Sequence, residues 1–211
     1  MTTLELAFPL RGTSLPRDHG YPLYAALASR VPAVHGAGWL GVHPVGGKVS
    51  DGLIALGPAA ELRVRLPSAR VGELLPLAGA QLDIAGSAIR LGAPVVHALA
   101  PRSALDARMV LLKLTAPPTR PNTDLARDVL DNEGFADRYR AELGRQLERL
   151  EVRCHLELCG RRTMTIKGKR LVGYSVRLTG LDPDGSLRVQ AKGLGGRRAL
   201  GCGLFRPTRG R

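Results

Sequence analysis

Five histidines, His19, His35, His43, His97 and His155, are the side chains of this 211-residue chain best suited to move protons at neutral pH. An imidazole of ordinary pKa, about 6.5, serves there as acid or base. His97 and His155 fall in strand-like runs, and His43 precedes Pro44. His35 follows a predicted helix in Val31-Pro32-Ala33-Val34-His35-Gly36, a loop that can present its side chain to a ligand. His19 lies in the loop before that helix. Two further groupings could hold an anion. The first is a glycine-rich run after Lys192, in which Gly193, Gly195, Gly196, Gly201 and Gly203 surround the basic pair Arg197 and Arg198. Glycine lets backbone N–H groups come close to phosphate oxygens, and the arginines add charge. The run is neither a dinucleotide fingerprint, which would need Gly at Arg198, nor a P-loop, which would need Lys at Cys202. The second grouping is Arg161, Arg162, Lys167, Lys169 and Arg170, spread over a predicted hairpin whose basic edge could contact phosphates.

The charge balance points the same way. The chain carries 31 Lys plus Arg against 18 Asp plus Glu, a net +13. Residues 151–211 hold 14 of those bases and four acids (+10), whereas residues 1–150 hold 17 bases and 14 acids (+3). An Arg-rich genome would spread its arginines evenly, so the asymmetry favours a binding surface for a polyanion, either nucleic acid or an anionic membrane. A 44% hydrophobic content excludes disorder throughout. No stretch of 18 apolar residues occurs, and Thr2 to Leu10 lacks a basic start and a long apolar run, so neither a membrane span nor a signal peptide is expected. Cys154, Cys159 and Cys202 form no CxxC pair. A reduced, cytoplasmic protein without a metal is the expectation.

These residues need a scaffold. Thr3 to Phe8 alternates as a strand does, and Leu23, Leu27 and Val31 mark one face of a helix that Pro22 opens and Pro32 stops. Strand-like runs follow at Trp39–Val45, Gly52–Leu56 and Glu61–Leu66, then a short helix from Ser68 to about Leu77, then strands at Gln81–Ile84 and Ala88–Leu91. The pattern restarts near residue 104 with a strand at Met109–Leu114, a turn at Pro117 and Pro118, and an amphipathic helix through Phe135, Tyr139, Leu143, Leu147 and Leu150. Strands at Val152–Leu158, Arg161–Ile166 and Leu171–Leu178, a short helix at Asp184–Lys192 and a strand at Cys202–Arg206 complete it. The reading is an α+β chain of tandem ferredoxin-like β-α-β-β-α-β modules, over residues 1–103 and 104–211.

The string Gly-x-Gly-(x)5-Gly-x-Gly from Gly193 to Gly203, followed by Leu204 and Phe205, resembles the glycine-rich signature of the CRISPR repeat-processing endoribonucleases of the RAMP superfamily. Leu187 to Pro207 resembles the type I subgroup first described in myxobacteria, and the helix ending in Val31-Pro32-Ala33-Val34-His35 looks like the segment that carries the catalytic histidine in several relatives. The resemblance implies a metal-independent and cofactor-free ribonuclease. It would cut precursor CRISPR RNA within each repeat by 2′-OH attack, leaving a 2′,3′-cyclic phosphate and a 5′-OH. By the same resemblance His35 is the general acid or base. Many relatives add a tyrosine in the first helix and a lysine soon after the histidine. Here Tyr21 and Tyr24 stand near the start of that helix, and the first lysine after His35 is Lys48. The local candidates for the second proton-transfer group and the charge stabiliser are His19, Tyr24, Arg30 and Lys48. Repeat RNA is the implied partner, other CRISPR effector subunits are a further one, and no small-molecule ligand or membrane is expected. Two alternatives share the composition: a non-catalytic RNA-binding subunit of the same superfamily, and a general basic RNA-binding protein.

Overall fold

A computed structural model describes residues 2–114 and 133–208. In the N-terminal module, β1 (Thr3–Arg11) leads through β2 (Ser14–Pro16) into α1 (Gly20–Arg30). The short β3 (Gly41–Val42), the hairpin β4 (Lys48–Ser50) and β5 (Leu53–Ala55), and β6 (Glu61–Pro67) follow. Next come α2 (Val71–Leu74), flanked by 3-10 turns, and β7 (Gln81–Ile84), β8 (Ser87–Leu91) and β9 (Val95–Ala98). The sheet runs β3-β6-β1-β8-β7, with β9 also paired to β1, and its pairings are antiparallel. This is the ferredoxin-like order, in which α1 and α2 cover one face. Leu6, Phe8, Leu62, Val64 and Leu66 from the strands bury against Leu23 and Leu27 of α1 and Leu74 of α2.

The second module repeats the plan with β10 (Ala104–Val110), α3 (Glu133–Arg149), β11 (His155–Ile166), β12 (Lys169–Thr179), α4 (Pro183–Lys192) and β13 (Arg206–Pro207), in sheet order β11-β12-β10-β13. Tyr139, Leu143 and Leu147 of α3 pack on Leu105, Tyr174, Val176 and Leu178 of the sheet. The Tyr139 hydroxyl donates to Val110 O at 2.6 Å and accepts from Leu112 N at 3.1 Å, which pins the chain as it leaves β10.

Three sequence boundaries are corrected. The strand expected at Met109–Leu114 lies at Ala104–Val110, because Leu105 and Ala107 are the alternating inward residues and the chain departs at Leu111. Val152–Leu158 and Arg161–Ile166 are not separate strands. Val152 N closes the end of α3 on Leu147 O, and Leu158 to Arg161 continues one long strand through a bulge at Gly160 (φ 144°). The last strand is only Arg206–Pro207, because Gly203 bonds instead to Met109 and Leu194. The turn expected at Pro117 and Pro118 lies outside the described residues.

The face of the first sheet away from its helices is not left to water. Glu5 and Arg65 sit opposite one another on β1 and β6 and are both buried. The Arg65 guanidinium donates to Glu5 Oε1 from Nε (3.1 Å) and Nη2 (2.6 Å), and reaches the second module at Gln190 O (2.5 Å) and Phe205 O (2.9 Å). His43 Nε2 lies 2.8 Å from Glu5 Oε1, and Arg63 Nη1 donates to Glu5 Oε2 at 3.2 Å. Burial by itself would raise the Glu5 carboxyl, but His43 and Arg65 outweigh it and hold it well below the usual carboxylate range. Burial lowers His43 to about 4, so its ring is neutral near neutral pH.

Both shifts act on stability with one sign. Below the ordinary histidine value of 6.5 the unfolded chain takes up a proton at His43 that the folded chain refuses until about 4. Below 4.5 it gains another at Glu5. The unfolded state binds more protons throughout that window, so stability falls as the solution is acidified. Urea unfolding at about pH 7, 5.5 and 4 should lose on the order of 3 kcal/mol from His43 alone across the series; a flat profile would contradict the assignment.

Candidate active site

Helix α1 ends at Pro32, whose missing N–H and fixed φ stop the helix and start a 3-10 turn, Pro32–Val34. His35 caps that turn, its N–H on Pro32 O at 3.0 Å, with its side chain exposed. The hydroxyl of Tyr24, two turns back on α1, accepts from Gly36 N at 2.9 Å and donates to Val34 O at 3.4 Å. One side chain thus ties the backbone on both sides of His35 to the helix.

The second module comes to meet this loop. Lys167 (φ 49°) and Gly168 (φ 76°) make the two-residue turn between β11 and β12, both at the positive φ that a type I′ hairpin requires. Under the hairpin, Met164, Met109, Leu111, Leu200 and Cys202 bury together, and Tyr21, Tyr24, Ile166 and Leu171 pack against them. This small core joins the modules. It leaves a groove of about 520 Å³ lined by Tyr21, Tyr24, Gly36 and Ala37 on one side and Ile166, Lys167, Lys169, Leu171 and Arg197 on the other. Gly36, the neighbour of His35, and three cations from two separate parts of the sequence therefore share one cleft.

Other residues named from sequence divide by role. Arg161 and Arg162 line a neighbouring cavity, and Arg170 is exposed on β12 outside the groove. Lys192 ends α4, exposed, and its carbonyl accepts from Arg198 Nη1 at 2.7 Å. Arg198 Nη2 reaches Gly38 O at 2.9 Å, so this arginine clamps the glycine run to the loop after His35. Arg197 is exposed in a left-handed conformation (φ 62°).

The N–H groups of the glycine run, expected to face a phosphate, have partners within the fold. Gly193 donates to Val189 O, Gly195 to Gln146 Oε1, Gly196 to Leu111 O, Gly201 to Arg198 O and Gly203 to Met109 O. These donors are consumed inside the fold. The glycines serve close packing instead. A Cβ on Gly203 (φ 68°) would sit 2.1 Å from Leu194 O, and one on Gly193 (φ 67°) 2.3 Å from Gly203 O. Two backbone segments cross there without room for a side chain.

The second proton-transfer candidates fare unequally. His19 is buried with Nδ1 on Pro16 O (2.9 Å) and Nε2 accepting from Val45 N (3.0 Å), which occupies both nitrogens. Arg30 and Lys48 are exposed away from the groove lining. Tyr24 alone of the four lines it. Among the described residues no group of three or more His, Cys, Asp or Glu side chains could hold a metal ion, and no helix is long and apolar enough to cross a membrane.

Comparison with known proteins adds the following. A family model described as "Cas6 Crispr" matches residues 4–210. The CRISPR-associated endonuclease Cas6 of Myxococcus xanthus (strain DK1622) is 38% identical over 207 residues, covering 98% of this chain and 82% of that protein. A solved "CRISPR associated protein Cas6" superposes with a TM-score of 0.69 at 15% identity, covering 98% of this chain and all of the other (100%). The CRISPR endoribonuclease Cse3 bound to a 19-nucleotide RNA gives 0.53 at 15% identity, with 98% of each chain covered. At such identities the two structures speak for the fold, the double ferredoxin-like layout described above.

Proposed function

The chain belongs to the Cas6 family of CRISPR-associated endonucleases, and we propose that it cuts precursor CRISPR RNA inside the repeat, at the groove between its two modules, with His35 as a proton-transfer group. The observation that carries this reading is the convergence of the His35 loop, from the module of low net charge, with Lys167, Lys169 and Arg197 from the basic one.

The proposed chemistry is a metal-independent transesterification. The 2′-oxygen of the nucleotide 5′ of the cut attacks the adjacent phosphorus. The 2′-O–P bond forms, the P–O5′ bond breaks, the 2′-hydroxyl proton goes to a base, and an acid gives a proton to the departing 5′-oxygen. The products are a 2′,3′-cyclic phosphate and a 5′-hydroxyl. Negative charge builds on the pentacoordinate phosphorus, and cations fixed beside it stabilise that state more than the substrate. Lys167, Lys169 and Arg197 take that role, and Tyr24 holds the backbone that carries His35. The partner is repeat RNA, with other CRISPR effector subunits as further partners of the product complex.

The test uses purified protein and labelled RNA of its own repeat. Cutting persists in excess chelator and disappears when the nucleotide 5′ of the cut carries 2′-deoxyribose. Cutting that needs a divalent ion and tolerates the deoxy substitution would overturn the mechanism.

A further inference from the structure

We propose that the cavity walled by Arg17, Arg108, Arg161 and Arg162 is a second phosphate subsite, separate from the His35 groove, that takes a backbone phosphodiester of the bound RNA strand. This rests on the reading of the groove as the cutting site.

The cavity, of about 380 Å³, draws these arginines from three places: the loop before α1, β10 and β11. Arg108 stands where the register of β10 against β12 shifts between Ala107 and Val110. A bulge of this kind re-aims a side chain, and here Arg108 lines the cavity between the modules. Among the described residues that line it, the sole carboxylate is Asp18, whose Oδ2 accepts from Thr165 N at 2.6 Å and whose charge favours the Arg108 guanidinium. His19 in the wall is kept neutral by burial and has both nitrogens engaged, and burial pushes the Cys202 thiol up to about 12. The wall therefore sets four exposed arginines against one carboxylate. Partial desolvation, and after it the charges of Arg162 and Arg17, lower the Arg108 pKa while Asp18 raises it; the residue is exposed, so solvent screens part of that repulsion.

An entering oxyanion would relieve it. The start of α1 adds to the field, since Gly20 lines the cavity and this 11-residue helix has neither a side-chain cap nor an acidic residue in its first turn. The placement identifies the anion as part of a longer polymer. Leu200 lines both this cavity and the groove, and β11 crosses both, with Arg162 to Met164 over the first and Ile166 at the second. Arg162 and Ile166 are about 13 Å apart along a strand. An RNA lying along the hairpin can thus set one phosphate in the arginine cavity while another sits beside His35. The subsite would set the register of the cut by anchoring the strand a fixed distance from it.

The test measures binding, not cutting. The Arg17→Gln/Arg108→Gln double variant and wild type are titrated with repeat RNA carrying 2′-deoxyribose 5′ of the cut, over a range of salt. The double variant should bind roughly tenfold to a hundredfold more weakly, with a salt slope smaller by about one. Its melting temperature should equal or exceed that of wild type, because like charges have been removed. A neutral methylphosphonate scanned along the RNA should weaken wild type at one linkage and leave the variant indifferent there. Unchanged affinity and slope would overturn the subsite, as would a lowered melting temperature with unchanged affinity. Inorganic phosphate that raises the melting temperature of wild type alone, with RNA affinity equal in both proteins, would make this a free-anion site and overturn it as well. Because the RNA is never cut, failure of the cleavage mechanism would leave these measurements intact, and failure here would leave cleavage intact.

Discussion

His35→Ala should leave repeat RNA uncut while the protein still folds and still binds it. Loss of a positioned proton-transfer group costs typically 10²- to 10⁴-fold in rate, about 3 to 5 kcal/mol of transition-state stabilisation. The geometry says why the loss should be confined to chemistry. The His35 side chain is exposed, so removing it opens no cavity. The contacts that hold the loop, Tyr24 to Val34 O and Gly36 N, and Arg198 to Gly38 O, all use the backbone, which alanine preserves. Single-turnover cleavage beside filter binding of the same RNA separates the two effects. A variant that cuts within about tenfold of wild type would remove His35 from the reaction, and a variant that no longer binds would make it part of the RNA-gripping surface.

The second large effect is on stability. Arg65→Met takes from the buried Glu5 carboxylate its two-bond charged partner, leaving Arg63 at 3.2 Å and the neutral His43, and takes the donors from Gln190 O and Phe205 O. Removing one partner of a buried ion pair costs roughly 3–5 kcal/mol. For a chain of this size that is on the order of 10 °C in melting temperature. Glu5→Gln in the same background should recover part of it, since the buried charge that Arg63 alone then faces is gone. A loss below about 1 kcal/mol, with the double variant no better, would show that the network is solvated and that the modules are joined elsewhere. Arg65 spans the module boundary, so the variant should also separate the two units, seen as a broadened or two-step unfolding transition.

Much of the layout was legible. The helix stopped by Pro32 placed His35 on a loop, Gly168 marked the hairpin turn, and the Tyr139, Leu143 and Leu147 spacing marked α3, because each depends on local backbone chemistry or on one helical face. Where the reading slipped, non-local bonds decided. The strand expected at Cys202–Arg206 is short because Gly203 pairs with Met109 and Leu194, partners far away in sequence. The glycines stood out as unusual, but composition alone cannot tell a glycine that admits a phosphate from one that admits another stretch of its own backbone.

Glu61, Arg63 and Arg65 alternate with Leu62, Val64 and Leu66 along β6, and that alternation by itself determines a strand with one apolar face against helices. It also reads as a strand with a solvated polar face. Only the tertiary structure turns that polar face into the buried seam between the modules, with Arg65 bonded to Glu5, Gln190 O and Phe205 O. The same division holds for the site. The sequence alone determined a basic C-terminal half and two histidines on loops, His19 and His35; that the loop of His35 and not His19 meets the basic half at a groove was decided by how the second module docks. Period and charge are properties of neighbouring residues, whereas docking is settled by contacts between residues more than a hundred positions apart, such as Arg65 with Gln190 and Phe205.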